Sequence, residues 1–223
     1  CKIGQSLGPE ARLLLEGVSG MLGSMLHHRC GLRRVASFEE LAEFAATRSA
    51  YIAQTSLYGY LKTRMGTQFR VYFEDELFSR EIHAAARKLY VSCLSDLTVD
   101  IVGLLYERAS LTEERASELA EELYATALPL GVQDRDLVLL SSDAHALFRA
   151  RIGKLRWEDE AVGLAIFAGS ARDLVRFAPV VDEVKELDSE IVMNSIRFRW
   201  RNVREQLRGR LRAEEVLASF TRR

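Results

Sequence analysis

The stretch YGYLKTRMG places Tyr58 and Lys62 four residues apart. A tyrosine and a lysine at that spacing can form an acid/base pair for hydride transfer when a nicotinamide lies beside them. That chemistry requires a doubly wound sheet, announced by a strand followed by a glycine-rich turn. Neither SLGPEARLLLEG nor GVSGMLG follows a strand. Four residues is also about one helical turn, so the pair reads as two neighbours on a helix surface rather than as a catalytic couple. Tyr58, Tyr60, Lys62, Arg64 and Gln68 lie near Gly66, and Phe69, Tyr72, Phe73, Glu74, Asp75 and Glu76 follow. This density of aromatic and charged groups fits a small-molecule or partner site on Tyr58, Tyr60, Lys62, Arg64 and Tyr72. It fits better a tight inter-helix turn in which Lys62 and Arg64 answer the helix dipole.

Other chemistries lack their frames. A serine hydrolase would need Gly-x-Ser-x-Gly on a strand-to-helix elbow, and GVSGM and AGSARD do not supply it. His27, His28 and Cys30 are weak metal candidates, because adjacent histidines on one backbone point apart. A helical di-iron centre would need Glu-x-x-His, which is missing from the sequence. The expectation is a chain without catalytic machinery, metal or cofactor.

A second charged constellation lies near the C-terminus. Arg197, Arg201, Arg204 and Arg208 recur at steps of four, three and four, beside an apolar series through Ile196, Trp200, Val203, Leu207 and Leu211. Arginine favours paired hydrogen bonds to carboxylate or phosphate. Trp200 suits an anchor at a protein or membrane contact. Acids come first on the same helix, at Asp182, Glu183, Glu186, Asp188 and Glu190. That order is also what the macrodipole stabilises, and the arginines could pair with the acids of EERASELAEE instead. Nucleic-acid recognition would add a reading helix or stacking aromatics, and neither is found.

The elements that must position these groups are helices. The chain has 223 residues, 48% of them hydrophobic, with three prolines and a formal net charge of -1. This suffices for one domain with a substantial core and gives the whole molecule no electrostatic bias toward nucleic acid or anionic membrane. Ser37 and Glu40 form a capping box, followed by a helix that Gly66 stops. Phe78, Ile82, Ala85, Leu89, Cys93, Leu97, Ile101 and Leu104 make one stripe on a long helix from about 75 to 108. Thr112 opens another helix, which LPLG ends, and further helices are expected over about 134–152 and 158–177. The run AVGLAIFAGSA marks the second of these as central and tightly packed. After Pro179 a second long helix runs from about 180 to 212, with Val184, Leu187, Ile191, Ile196 and Trp200 facing one way, and AEEVLASF is a terminal helix. LVLL and FRVYF stand alone and read as helix or loop. The fold class is therefore all-α, a bundle of about six to eight helices, two of them long. It is read as a single domain over 1–223, with 1–36 a loosely attached helix and connector.

The three cysteines lack CxxC spacing and suggest a reducing compartment. No uncharged stretch approaches the roughly 20 residues that cross a bilayer. The chain starts at Cys1 rather than Met, which reads as a truncated or processed start.

RSAYIAQTSLYGYLKTRMGTQF, with FEDELF and CLSDL, is similar to a block of an uncharacterised bacterial family sometimes labelled esterase. The resemblance covers roughly residues 47–100, under a third of the chain. It implies a bacterial, cytoplasmic protein and carries no catalytic residues across. The expected function is an interaction protein that binds a protein partner or itself. Two alternatives stand beside it: a small-molecule binder or enzyme near Tyr58, Lys62 and Arg64, and a peripheral protein of the inner membrane using the basic helix.

Overall fold

The computed structural model describes residues 34–68, 74–132, 137–160 and 164–222. Within them the chain is helical: α1 (Phe38–Met65), α2 (Glu76–Ala109), α3 (Glu113–Ala127), α4 (Leu137–Ile152), the single turn α5 (Trp157–Glu160), α6 (Ala168–Phe177), α7 (Asp182–Arg210) and α8 (Ala213–Thr221). No strand occurs among the described residues, and the one isolated bridge pairs Val35 with Leu211. The molecule is the all-α bundle with long helices that the sequence pattern predicts. FRVYF, Tyr72, His27, His28 and Cys30 lie outside the described residues, and LVLL begins α4.

Local signals set most boundaries. The Ser37 hydroxyl accepts the Glu40 N–H at 3.2 Å, while the Glu40 carboxylate accepts the N–H of Ala36 at 2.9 Å rather than that of Ser37. Asp75 and Thr112 cap α2 and α3 by accepting the N–H groups of Phe78 and Arg115. Gly66, at φ 54°, ends α1 in backbone space that a side chain would resist.

Packing centres on α2. Its middle turns, from Leu97 to Leu105, are buried on every side, because α1, α3, α6 and short segments between helices surround it. On α1, Ala42, Ala45, Ala46, Ser49, Ala50 and Ala53 are buried, and such small side chains let helix axes approach closely. The C-terminus returns to the start. Phe220 of α8 stacks on Phe38 at 5.1 Å, and the Phe38 N–H donates to the Ser219 hydroxyl at 2.8 Å.

Two expectations need correction. The helix expected over 158–177 is not continuous: a 3-10 segment, Leu164–Phe167, precedes α6. The restart leaves the N–H of Ser170, in the first turn of α6, without an intrahelical partner, and a buried carboxylate takes it. The apolar series expected on one face of α7 is two series. Asp188, Val192, Ile196, Trp200, Val203 and Leu207 are buried, whereas Leu187, Ile191 and Phe198 are 82%, 74% and 59% exposed. Helical geometry requires this division. Ile191 and Ile196 are five residues apart, and at about 3.6 residues per turn that step rotates a side chain by roughly 140°.

Candidate functional site: the long helix α7 and its two faces

The inward face of α7 is tied to the bundle by polar groups at three levels. Near its start, Asp188 is 4% exposed. It accepts a hydrogen bond from the Tyr60 hydroxyl at 3.0 Å and pairs with the Arg64 guanidinium. Burial pushes the Tyr60 phenol up, against the charge of Arg64. Tyr60 and Arg64 lie four residues apart on α1 and so reach the same point on α7. Arg64 therefore serves an inter-helix ion pair rather than the end of its own helix.

The second level is built on Trp200, which is wholly buried. Its ring stacks on Phe167 at 4.6 Å, and its indole N–H donates to the Ser170 hydroxyl at 3.1 Å. The Ser170 N–H donates to Asp96 at 2.7 Å. Asp96, also wholly buried, receives Arg151 Nη1 at 2.6 Å. Arg151 further reaches the Ser95 hydroxyl at 2.8 Å and the Ile166 carbonyl at 3.1 Å. The Trp200 indole N–H, the Ser170 N–H and the Asp96 carboxylate are buried polar groups that these bonds satisfy. Burial raises the Asp96 carboxyl, while the Arg151 charge and the Ser170 donors pull it back down. The neighbouring Cys93 thiol is fully enclosed and is pushed well up by burial and by the Asp96 charge.

The third level pairs Arg204 with Asp100, Nε to Oδ1 at 2.8 Å. The Arg204 side chain is 14% exposed and lies over the Phe167 ring at 6.0 Å. Burial raises the Asp100 carboxyl to about 6, with Arg204 and then Arg208 opposing. Ser92, Asp96 and Asp100 are spaced by four along α2, and Ser92 donates to Asp173 of α6. One polar file on α2 thus meets α4, α6 and α7. The arrangement can bind helices in a fixed register, and Asp100 can take up a proton under mildly acidic conditions.

The outward face of α7 is different. Val184, Leu187, Ile191, Asn194, Phe198 and Arg201 recur at alternating steps of three and four. All but half-buried Val184 are exposed. This is the spacing of a coiled-coil seam. Arg201 lies over Phe198 at 4.9 Å. Glu190 and Arg197 run along one flank, and neither has an ion-pair partner among the described residues.

The residues singled out in the sequence are therefore divided. Tyr60 and Arg64 meet at Asp188, while Lys62 is exposed away from them. Tyr58 is half-buried, and burial pushes its phenol up to about 12. Trp200 is not a surface anchor, because its indole fills the core and its N–H is already used. Arg204 is withdrawn from the basic face by Asp100. Arg197, Arg201 and Arg208 remain at or near the surface. The acids of α3 do not take up these arginines: Glu118 pairs with Arg115, Glu121 with Arg149, and the Glu113 carboxylate accepts the Trp157 N–H.

Two cavities among the described residues bear on the site, and neither is lined by Tyr58, Tyr60, Lys62 or Arg64. One is an open groove of about 740 Å³ between α3 and α8, lined by Glu114, Glu118, Glu121, Glu122 and Phe220 among others. The other is a void of about 20 Å³ beside Tyr90 and Gly131. Among the described residues, no group of three or more His, Cys, Asp or Glu side chains is placed to hold a metal ion. One described helix, α2, is long and apolar enough to cross a membrane, and most of the relevant stretch is covered by the bundle. It meets that criterion despite Asp96 and Asp100, the charged residues between Leu89 and Tyr106. Compared with protein-family models, curated proteins and solved structures, the chain matches none.

Proposed function

We propose that this is an interaction protein, and that the outward face of α7 is its contact surface. The occupant is an amphipathic helix with its own apolar stripe and a charge gradient opposed to that of α7. The single observation that carries this reading is the stripe itself. Leu187, Ile191 and Phe198 stand in water at coiled-coil spacing, on a helix whose other face is held by Asp188, Trp200 and Arg204. Scattered exposed apolar residues are ordinary on a protein surface, but a seam running along one helix face is characteristic of helix-on-helix recognition. Acids at Asp182, Glu183, Glu186 and Glu190 precede the bases at Arg197, Arg201 and Arg208, which gives the contact a direction.

The test is site-specific photo-crosslinking in the protein's own host cells. A crosslinker replacing Ile191 should give a protein adduct, and one replacing the exposed Asp143 of α4 should not. Leu187→Ser combined with Phe198→Ser should abolish the adduct while the fold is retained. Failure of the Ile191 position to give any adduct between chains would sink the reading.

A further inference from the structure

The direction of the charges on α7 narrows the choice of occupant. Its first half is acidic and its second half basic. A copy of the same helix laid alongside in parallel would set acid beside acid and base beside base. Turned end for end, the same copy would set each half against its opposite. We infer that the helix occupying the stripe is α7 of a second copy, packed antiparallel about a two-fold axis. This inference rests on the association reading above and adds the identity and orientation of the partner.

The register follows from the residues. In an antiparallel pair, Leu187 of one copy meets Phe198 of the other, and Glu190 meets Arg197. The midpoints of both pairs fall between residues 192 and 194, so a single axis serves both contacts. Two-fold symmetry repeats each contact, which gives two Leu–Phe packings and two Glu–Arg pairs in an isologous interface. Ile191 and Asn194 lie nearest the axis. Asn194 adds a polar group to the seam, a device that penalises other registers. These flank residues are the ones this geometry uses, since neither Glu190 nor Arg197 has an ion-pair partner among the described residues. Helix dipoles also favour the antiparallel arrangement. Contact from Val184 to Arg201 spans about 27 Å at about 1.5 Å per residue. A helix pair of that length buries roughly 1,000 Å², the low end for specific interfaces, so the dimer should be reversible rather than permanent.

Analytical ultracentrifugation of the full chain over a concentration series tests the inference. The wild type should pass from the 25.2 kDa chain to twice that mass as concentration rises. Glu190→Arg or Arg197→Glu alone should weaken the dimer by about tenfold or more, since each creates two like-charge contacts. The double variant E190R/R197E should return to within about threefold of wild type, because symmetry restores both pairs in reverse. Circular dichroism confirms that each variant folds. A double variant as weak as the singles would overturn the antiparallel register. A wild type that stays monomeric to about 100 µM would overturn the second copy as partner. In that event, an Ile191 adduct to a different protein leaves the association reading standing. An adduct only to residues 1–33 of the same chain removes both.

Discussion

Replacing Arg204 by methionine should destabilise the protein by an amount that depends steeply on pH. Methionine keeps an apolar stem near the Phe167 ring and removes only the charge that faces Asp100. Burial already raises the Asp100 carboxyl from 3.8 to about 6 in the folded chain, and Arg204 is the main force opposing that rise. The sign follows from proton binding. An acid whose folded value is raised binds its proton more tightly in the folded state, so its contribution to stability is greatest in acid and is lost as pH climbs from about 4 through 6. At pH 7 the loss with Arg204 present is about 3 kcal/mol. Without Arg204, burial is opposed only by the exposed Arg208, and the carboxyl value rises further. The loss at pH 7 is then limited by the free energy of protonating the group, about 4 kcal/mol. The difference is at most about 1.4 kcal/mol at pH 7, shrinks to nearly zero at pH 5 and grows to at most about 2.7 kcal/mol at pH 8. This is less than the several kcal/mol usual for breaking a buried pair, because the abandoned group can escape by taking up a proton. Urea unfolding of wild type and Arg204→Met at the three pH values measures the difference directly. Equal destabilisation at pH 5 and pH 8 would show that Asp100 is not the group that feels Arg204.

Gly169→Ala should lower the thermal midpoint, because the new Cβ would sit 2.8 Å from Asp96 Oδ1, an overlap costing about 1–3 kcal/mol. Gly209→Ala, where nothing lies within 4 Å, should instead raise it, because up to about 1 kcal/mol of helix propensity is gained. Trp200→Phe keeps the stack on Phe167 and loses the donor to Ser170, so unfolding free energy should fall by about 1 kcal/mol, against about 3–5 kcal/mol for Trp200→Ala. Were Trp200 a surface anchor, the alanine variant would stay within about 0.5 kcal/mol of wild type.

What the sequence made legible was what short-range chemistry decides. Ser37 and Thr112 each accept a backbone N–H from the first turn of the helix that follows, and such caps can be read without knowing the fold. The break before α6 is another matter. Its small, uncharged residues suit a continuous helix, and the hydrogen-bond acceptor that gains from an interruption is Asp96, 74 residues away from Ser170. Nothing local to AVGLAIFAGSA signals it. The polar file was more accessible. Asp96 and Asp100 are the only charged residues between Leu89 and Tyr106, and a carboxylate in the middle of an apolar helix has to find a cation. What remained hidden was which cation, since many arginines compete and only packing selects Arg151 and Arg204.

The two faces of α7 belong together for the same reason. A helix with apolar residues on opposite sides could settle on the bundle by either one, since Leu187, Ile191 and Phe198 offer a hydrophobic stripe of their own. Hydrophobic burial is non-directional and does not choose strongly between them. Asp188, Trp200 and Arg204 do choose, because each has a polar partner only when its own side faces inward. Turning the helix over would strand Asp100 without Arg204, take the Trp200 donor away from Ser170 and leave Asp188 without Tyr60 and Arg64. The buried polar groups thus act as a rotation lock on α7, and the outward stripe is exposed as a consequence of that lock.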